Sequence, residues 1–195
     1  MPQILLKLTK LTCNQTSFGP GADSIYVIAL LTDPKNNNRV LGTAVKAMGD
    51  MDHGDAKTNV ELINLLPSPG IDGLRCIMGL VKVGPLGSLD PAAIQQGAQE
   101  TINYLSSLTP GQAPNVPGQT WVDILIDGLL KLVWKVKGSW GSTVSLGSDD
   151  VTVAVPPGGT INGMHPGGSP PYYEFRCAGY DSNYDVQFTI FCAGY

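Results

Sequence analysis

Apolar residues in this chain fall first into short runs rich in β-branched and aromatic residues, then into a helical rhythm, then into runs again. Ile4 to Cys13 and Ser24 to Thr32 have strand character, and between them Asn14 to Asp23 is dense in Gly, Pro and Asn. The stretch Asp33-Pro-Lys-Asn-Asn-Asn38 marks a turn, after which Arg39 to Met48 forms a third extended segment. Lys57 to Leu66 and Leu74 to Val83 continue the series, with Pro67, Pro69 and Gly70 at the connection.

The period changes at Leu89-Asp90-Pro91, where Asp90 can cap a helix and Pro91 suits its first turn. Ile94, Ala98, Ile102 and Leu105 fall on one stripe, so the pattern predicts a helix ending near Leu108. Thr109 to Gln119 is a Pro- and Gly-rich loop. Thr120 and Asp123 then resemble a capping box for a second helix that runs to Lys137 and stops at Gly138. Thr143 to Leu146 and Val151 to Val155 are expected as two short strands, followed by an aperiodic Gly- and Pro-dense loop from Pro156 to Pro171. Tyr172 to Tyr180 and Tyr184 to Phe191 close the chain as a hairpin, with Tyr173, Phe175 and Cys177 on one side and Val186, Phe188 and Ile190 facing the core. Cys177-Ala-Gly-Tyr180 is echoed by Cys192-Ala-Gly-Tyr195, which shared strand-end chemistry explains as well as duplication does.

Strands first, helices in the middle and strands last exclude βα alternation. The expected fold is a mainly β, antiparallel two-sheet β-sandwich forming one domain over 1–195, with a two-helix hairpin inserted at about 89–138. A chain of 195 residues can bury roughly 70% of its unfolded surface, enough for a core without staples. The composition agrees: only 14% of residues are charged, and 24 Gly and 15 Pro supply many turns.

The second helix is the most informative segment. Asp123, Asp127, Lys131 and Lys135 recur every four residues and form one polar stripe, acids first and bases last, as the helix dipole favours. The remaining positions, including Trp121, Leu125, Leu129 and Trp134, are apolar over an arc of about 200°, twice what contact with one sheet requires. This helix therefore has two sides to bury. Packing against the first helix is one solution; a subunit interface or a lipid interface anchored by Trp121, Trp134 and Lys137 are others. At about 25 Å it is short for crossing a 30 Å hydrocarbon core.

Net charge of −4 and an isoelectric point near 5.0 disfavour nucleic acid as a partner. Lys7 and Lys10 interrupt the first apolar stretch, so no signal peptide is expected and the compartment is left as cytoplasmic or leaderless export. Cys13, Cys76, Cys177 and Cys192 have no zinc-ligand spacing and are expected as buried thiols. A hairpin turning at Asp181 to Asn183 would set Cys177 opposite about residue 187 and keep it away from Cys192.

Candidate chemistry concentrates in Asp50-Met-Asp52-His53-Gly54-Asp55. Carboxylates this close repel unless solvent or a cation screens them, and hard oxygen ligands suit calcium. The spacing departs from the EF-hand loop, and a solvated acidic turn is the alternative. Asp149 and Asp150 join the candidate metal ligands, because these two, with Asp23, Asp181 and Asp185, are predicted at strand ends that could meet at one rim. Catalytic signatures are missing: with His53 and His165 the only histidines, the chain has neither a Gly-x-Ser-x-Gly elbow nor a His-Glu-x-x-His helix. The Gly-rich stretch from Pro156 to Gly168 lacks the strand-to-helix context of a phosphate cradle.

Leu8-Thr9-Lys10-Leu11-Thr12-Cys13 followed by Ala22-Asp23-Ser24-Ile25-Tyr26-Val27 resembles the first hairpin of C2-like β-sandwich modules of bacterial and fungal proteins. Ser148-Asp149-Asp150-Val151 and Tyr184-Asp185-Val186 are similar to later parts of such modules, whereas the helical interlude departs from them. The resemblance implies calcium at strand-end loops and a protein or membrane surface as target. The leading expectation is a non-enzymatic binding module acting through acidic strand-end loops, with calcium as its candidate cofactor. Its rivals are a membrane-active, pore-forming or toxin-like protein that uses residues 120–137, and a structural assembly protein that forms a homo-oligomer.

Overall fold

A computed structural model describes residues 3–16, 23–35, 39–66, 70–83, 100, 143–155, 161–162, 172–179 and 181–193. The strands are β1 (Gln3–Gln15), β2 (Asp23–Asp33), β3 (Arg39–Met51), β4 (Ala56–Leu65), β5 (Gly73–Val83), β6 (Thr143–Ala154), β7 (Ile161–Asn162), β8 (Tyr173–Gly179) and β9 (Ser182–Ala193). Every pairing is antiparallel. One sheet has the order β4-β1-β9, with β7 and β8 both paired to the far edge of β9. The other has the order β3-β2-β5-β6. The mainly β architecture of two antiparallel sheets is thus as expected. The predicted helical hairpin at about 89–138 falls almost wholly outside the described residues.

The first sheet shows how alternation builds one wall of the core. Along β9, Ser182, Tyr184, Val186, Phe188, Ile190 and Cys192 are buried and the residues between them are partly exposed. β8 presents Tyr173, Phe175 and Cys177 inward and Glu174, Arg176 and Ala178 outward, as its pattern predicts. In β1 the buried set changes phase, from Ile4, Leu6 and Leu8 to Leu11 and Cys13. An irregularity between Leu8 and Lys10 accounts for the change: the extra residue at Thr9 opposes no partner on β9 and resets the pleat. Without it Leu11 and Cys13 would point to solvent. Opposite Thr9 on the other side, Asn59 adopts φ 58°, a left-handed conformation that Asn tolerates better than most residues.

The second sheet is built differently. β2 is buried without interruption from Ile25 to Asp33, and in β5 every residue from Gly73 to Lys82 except Arg75 is buried. Ile25, Val27, Ala29, Leu31, Leu74, Cys76, Met78 and Leu80 join the core between the sheets, together with Ile4, Leu6, Leu8, Phe188 and Ile190 from the first sheet. The intervening positions point away from that core.

Three local expectations are corrected. The segments Thr143 to Leu146 and Val151 to Val155 form one continuous strand, β6, because Gly147 to Asp150 pairs with Leu80 to Ile77 instead of breaking the ladder. β3 extends to Met51, past the predicted end at Met48. The terminal hairpin turns earlier than predicted: Gly179 pairs with Ser182, and Asp181 takes φ 61°, the left-handed geometry a two-residue hairpin loop demands. Cys177 consequently lies opposite Tyr184. The separation from Cys192 survives that shift, and all four cysteines are buried thiols outside any disulfide.

Candidate functional site: an acidic rim

The loop Asp52-His53-Gly54-Asp55 carries the chain from β3 in the second sheet to β4 in the first, so it bridges the two sheets at one end of the sandwich. All four residues are exposed. The loop is nevertheless clamped. The Cys13 N–H donates to the Asp55 carbonyl at 2.9 Å, and the Gly54 N–H donates to the Cys13 carbonyl at 2.9 Å. His53 Nδ1 lies 2.5 Å from the Asn14 carbonyl, an acceptor, so this ring nitrogen carries the proton. Within the loop the Asp55 N–H donates to the Asp52 carbonyl at 3.0 Å, and the Asp52 N–H to Asp55 Oδ2 at 2.9 Å. Just before it, the Ser24 hydroxyl donates to Asp50 Oδ1.

Gly54 makes this geometry possible, with φ +88° and nothing within 4 Å of where a Cβ would stand. The requirement is one of backbone conformation, not of space. Gly54→Ala is expected to cost about 1–2 kcal/mol, the penalty of holding an L-residue left-handed. Urea unfolding measures that loss, and an unchanged midpoint would show that the loop adopts another conformation at no cost.

A second polar knot adjoins the loop. Asn14 Nδ2 donates to Asp185 Oδ2 at 2.7 Å, and Arg176 Nε donates to Asp185 Oδ1 at 2.8 Å. The hydrogen bond from Arg176 holds the Asp185 carboxyl below the usual carboxylate range; partial desolvation opposes this, and Asn14 adds to the lowering. A depressed native pKa means that the interaction stabilises the fold above the unfolded value of about 3.9 and is lost as pH falls through the lower native value. Asp185→Asn should therefore cost up to about 1 kcal/mol at pH 7. The gap between variant and wild type should close below about pH 4, as comparative melts across that range would reveal.

Asp23 pairs with Met51, Ser24 with both Asp50 and Val83, and Asp185 with Thr12, whose other neighbour is Ala56. Asp50, Asp52, Asp55, Asp23, Asp181 and Asp185 thus gather at one end of the sandwich. Asp149 and Asp150 do not. They lie within β6 opposite Met78 and Ile77, on the edge of the second sheet remote from β3. Seven residues along the strand and three strand spacings across put Asp150 roughly 25 Å from Asp50. One ion, with ligands at about 2.3–2.6 Å, cannot join the two sets.

Among the described residues no three His, Cys, Asp or Glu side chains are grouped so as to hold a metal ion. Asp50 and Asp55 instead accept hydrogen bonds from the protein itself. Trp121, Leu125, Leu129 and Trp134, the residues expected at a partner or membrane surface, lie outside the described residues. Among the described residues no helix is long and apolar enough to cross a membrane.

Sequence reasoning missed Asn14 and Arg176. Their roles depend on contacts across 171 and 9 positions that exist only once β1, β8 and β9 are paired in register. No protein-family model matches the chain, and no curated protein matches it in sequence.

Proposed function

We propose that this protein is a non-enzymatic binding module whose partner-facing surface is the acidic rim around the β3–β4 loop. The supporting observation is the combination of exposure and rigidity at Asp52 to Asp55, a solvent-facing acidic loop tied to Cys13 and Asn14. A loop held in place before binding loses little conformational freedom when a partner arrives. Its charge selects a cationic protein surface, and long-range attraction between such surfaces raises the association rate more than the final affinity. Calcium enters this reading as a bridge that the rim carboxylates recruit, in keeping with the C2-like resemblance.

The test uses a Lys- and Arg-rich peptide as probe, with and without millimolar calcium. Binding is expected to weaken steeply with salt and to fall several-fold in the double variant Asp50→Asn/Asp52→Asn. Equal binding by wild type and variant at low salt would overturn the proposal. Calcium is judged separately by melting temperature against a chelated sample. An unchanged melt removes the ion while leaving the acidic surface in place.

A further inference from the structure

The two sheets treat their outer faces in opposite ways. The first sheet turns Lys7, Asp185, Gln187, Thr189, Glu174 and Arg176 outward, a polar surface that water can cover. In the second sheet the outward positions of the central strands are Tyr26, Ile28 and Leu30 on β2, opposite Val81, Gly79 and Ile77 on β5. The five side chains of this patch are only 9%, 6%, 6%, 4% and 7% exposed (Tyr26, Ile28, Leu30, Val81, Ile77). They stand apart from the core that joins the two sheets. Burial fades toward the edge, where Thr43 and Val45 are half-buried and Ala47 is exposed. No described strand lies over this face, yet within a single chain it is shielded from solvent.

We infer that residues 120–137 of the same chain dock on this face, along β2 and β5. Three observations point to that segment. First, it belongs to the stretch that leaves the second sheet at Val83 and re-enters it at Thr143, residues that pair with each other at the ends of β5 and β6. Both ends are therefore anchored on the sheet to be covered. Second, the apolar arc of about 200° that its sequence pattern predicts for a helix exceeds what any single contact can bury, which leaves one side for a sheet. Third, the dimensions agree: a helix of this length spans about 25 Å, and the patch from Tyr26 to Thr32 runs about 20 Å. Outside 84–142 the undescribed stretches, such as 156–160 and 163–171, are dominated by Gly, Pro and polar residues; within it, the pattern of 91–108 has a single apolar stripe against the wider arc of 120–137.

Such docking makes the second sheet the middle layer of the molecule. It also places the start and end of the 84–142 stretch at the same end of the sandwich as the acidic rim, because Val83 and Asp50 share Ser24 as neighbour.

The inference is tested on the full chain by photo-crosslinking from Tyr26→p-benzoylphenylalanine, an aromatic-for-aromatic change at the end of the patch nearest the rim. A second probe at half-buried Val45, on the margin, decides the matter where the first variant fails to fold by circular dichroism. The expected product is an intramolecular crosslink in the monomer band, mapped by mass spectrometry to peptides within 120–137. Crosslinks between two copies would assign the face to self-association and overturn the inference. Probes that react only with solvent, or only with peptides outside 120–137, those of 91–108 included, would overturn it as well.

Discussion

Phe188→Ala should lower stability by about 3–5 kcal/mol, the loss typical of deleting a buried aromatic ring. Phe188 is 3% exposed near the middle of β9, the strand that pairs with β1 on one side and β8 on the other. Its ring stacks on Tyr173 with centroids 5.3 Å apart and meets Phe175 edge-on at 6.2 Å. Each aromatic pair adds about 0.5–1.5 kcal/mol beyond area burial, so the change empties a cavity and unpairs two neighbours at once. The same packing takes Tyr173 out of water, and this burial pushes its phenol pKa up. Because a domain is stabilised by only about 5–15 kcal/mol, the variant should sit near the edge of folding at body temperature. A drop in melting temperature of roughly 6–20 °C is expected, with Phe188→Leu recovering much of it. A shift of under 2 °C for the alanine variant would mean that the ring is not part of the core.

The terminal hairpin also shows what the residues disclose on their own. Its strict alternation makes the inward set of β8 and β9 readable without coordinates. Its register was not readable, because Asp181 to Asn183 and residues 180–181 are equally good turn chemistry, and the choice depends on how β9 fits β1. The continuity of β6 is masked in the sequence for a related reason. Gly147-Ser-Asp-Asp150 has the composition of a loop, but an edge strand has one side unpaired and accepts such residues in mid-ladder. Asp149 and Asp150 therefore lie inside β6, not at the strand end that their composition suggests. Asp52 and Asp55 follow the end of β3 and Asp50 is its second-last residue, so this cluster stays near a strand end although β3 runs three residues past Met48. The contacts that tie the loop to Cys13 and Asn14 join residues 39 and more positions apart and leave no local trace.

The largest contrast in the molecule is expected between two aspartate substitutions on outer faces, Leu30→Asp and Thr189→Asp. Both positions point away from the core between the sheets, so a sandwich wetted on both outer faces would tolerate both equally. Leu30 is 6% exposed and pairs with Ile77 and Thr43, so a carboxylate there has neither water nor a cation within its row. Burying an unpaired charge costs several kcal/mol, and the protein must either unfold or expose the face. Leu30→Asp should therefore lose at least about 4 kcal/mol, or bind a hydrophobic dye such as ANS while its far-UV spectrum stays β-rich. Thr189 is half-exposed and lies opposite Lys7 on β1, where an acid gains an opposite-charge neighbour across the strands. That substitution should change stability by no more than about 0.5 kcal/mol in either direction. The alternation of β1 and β9 and the unbroken apolar runs of β2 and β5 already predict this asymmetry, since a strand apolar at every position is a strand covered on both sides. Equal tolerance of the two substitutions would show that water reaches the outer face of the second sheet, and its covering layer would have to be abandoned.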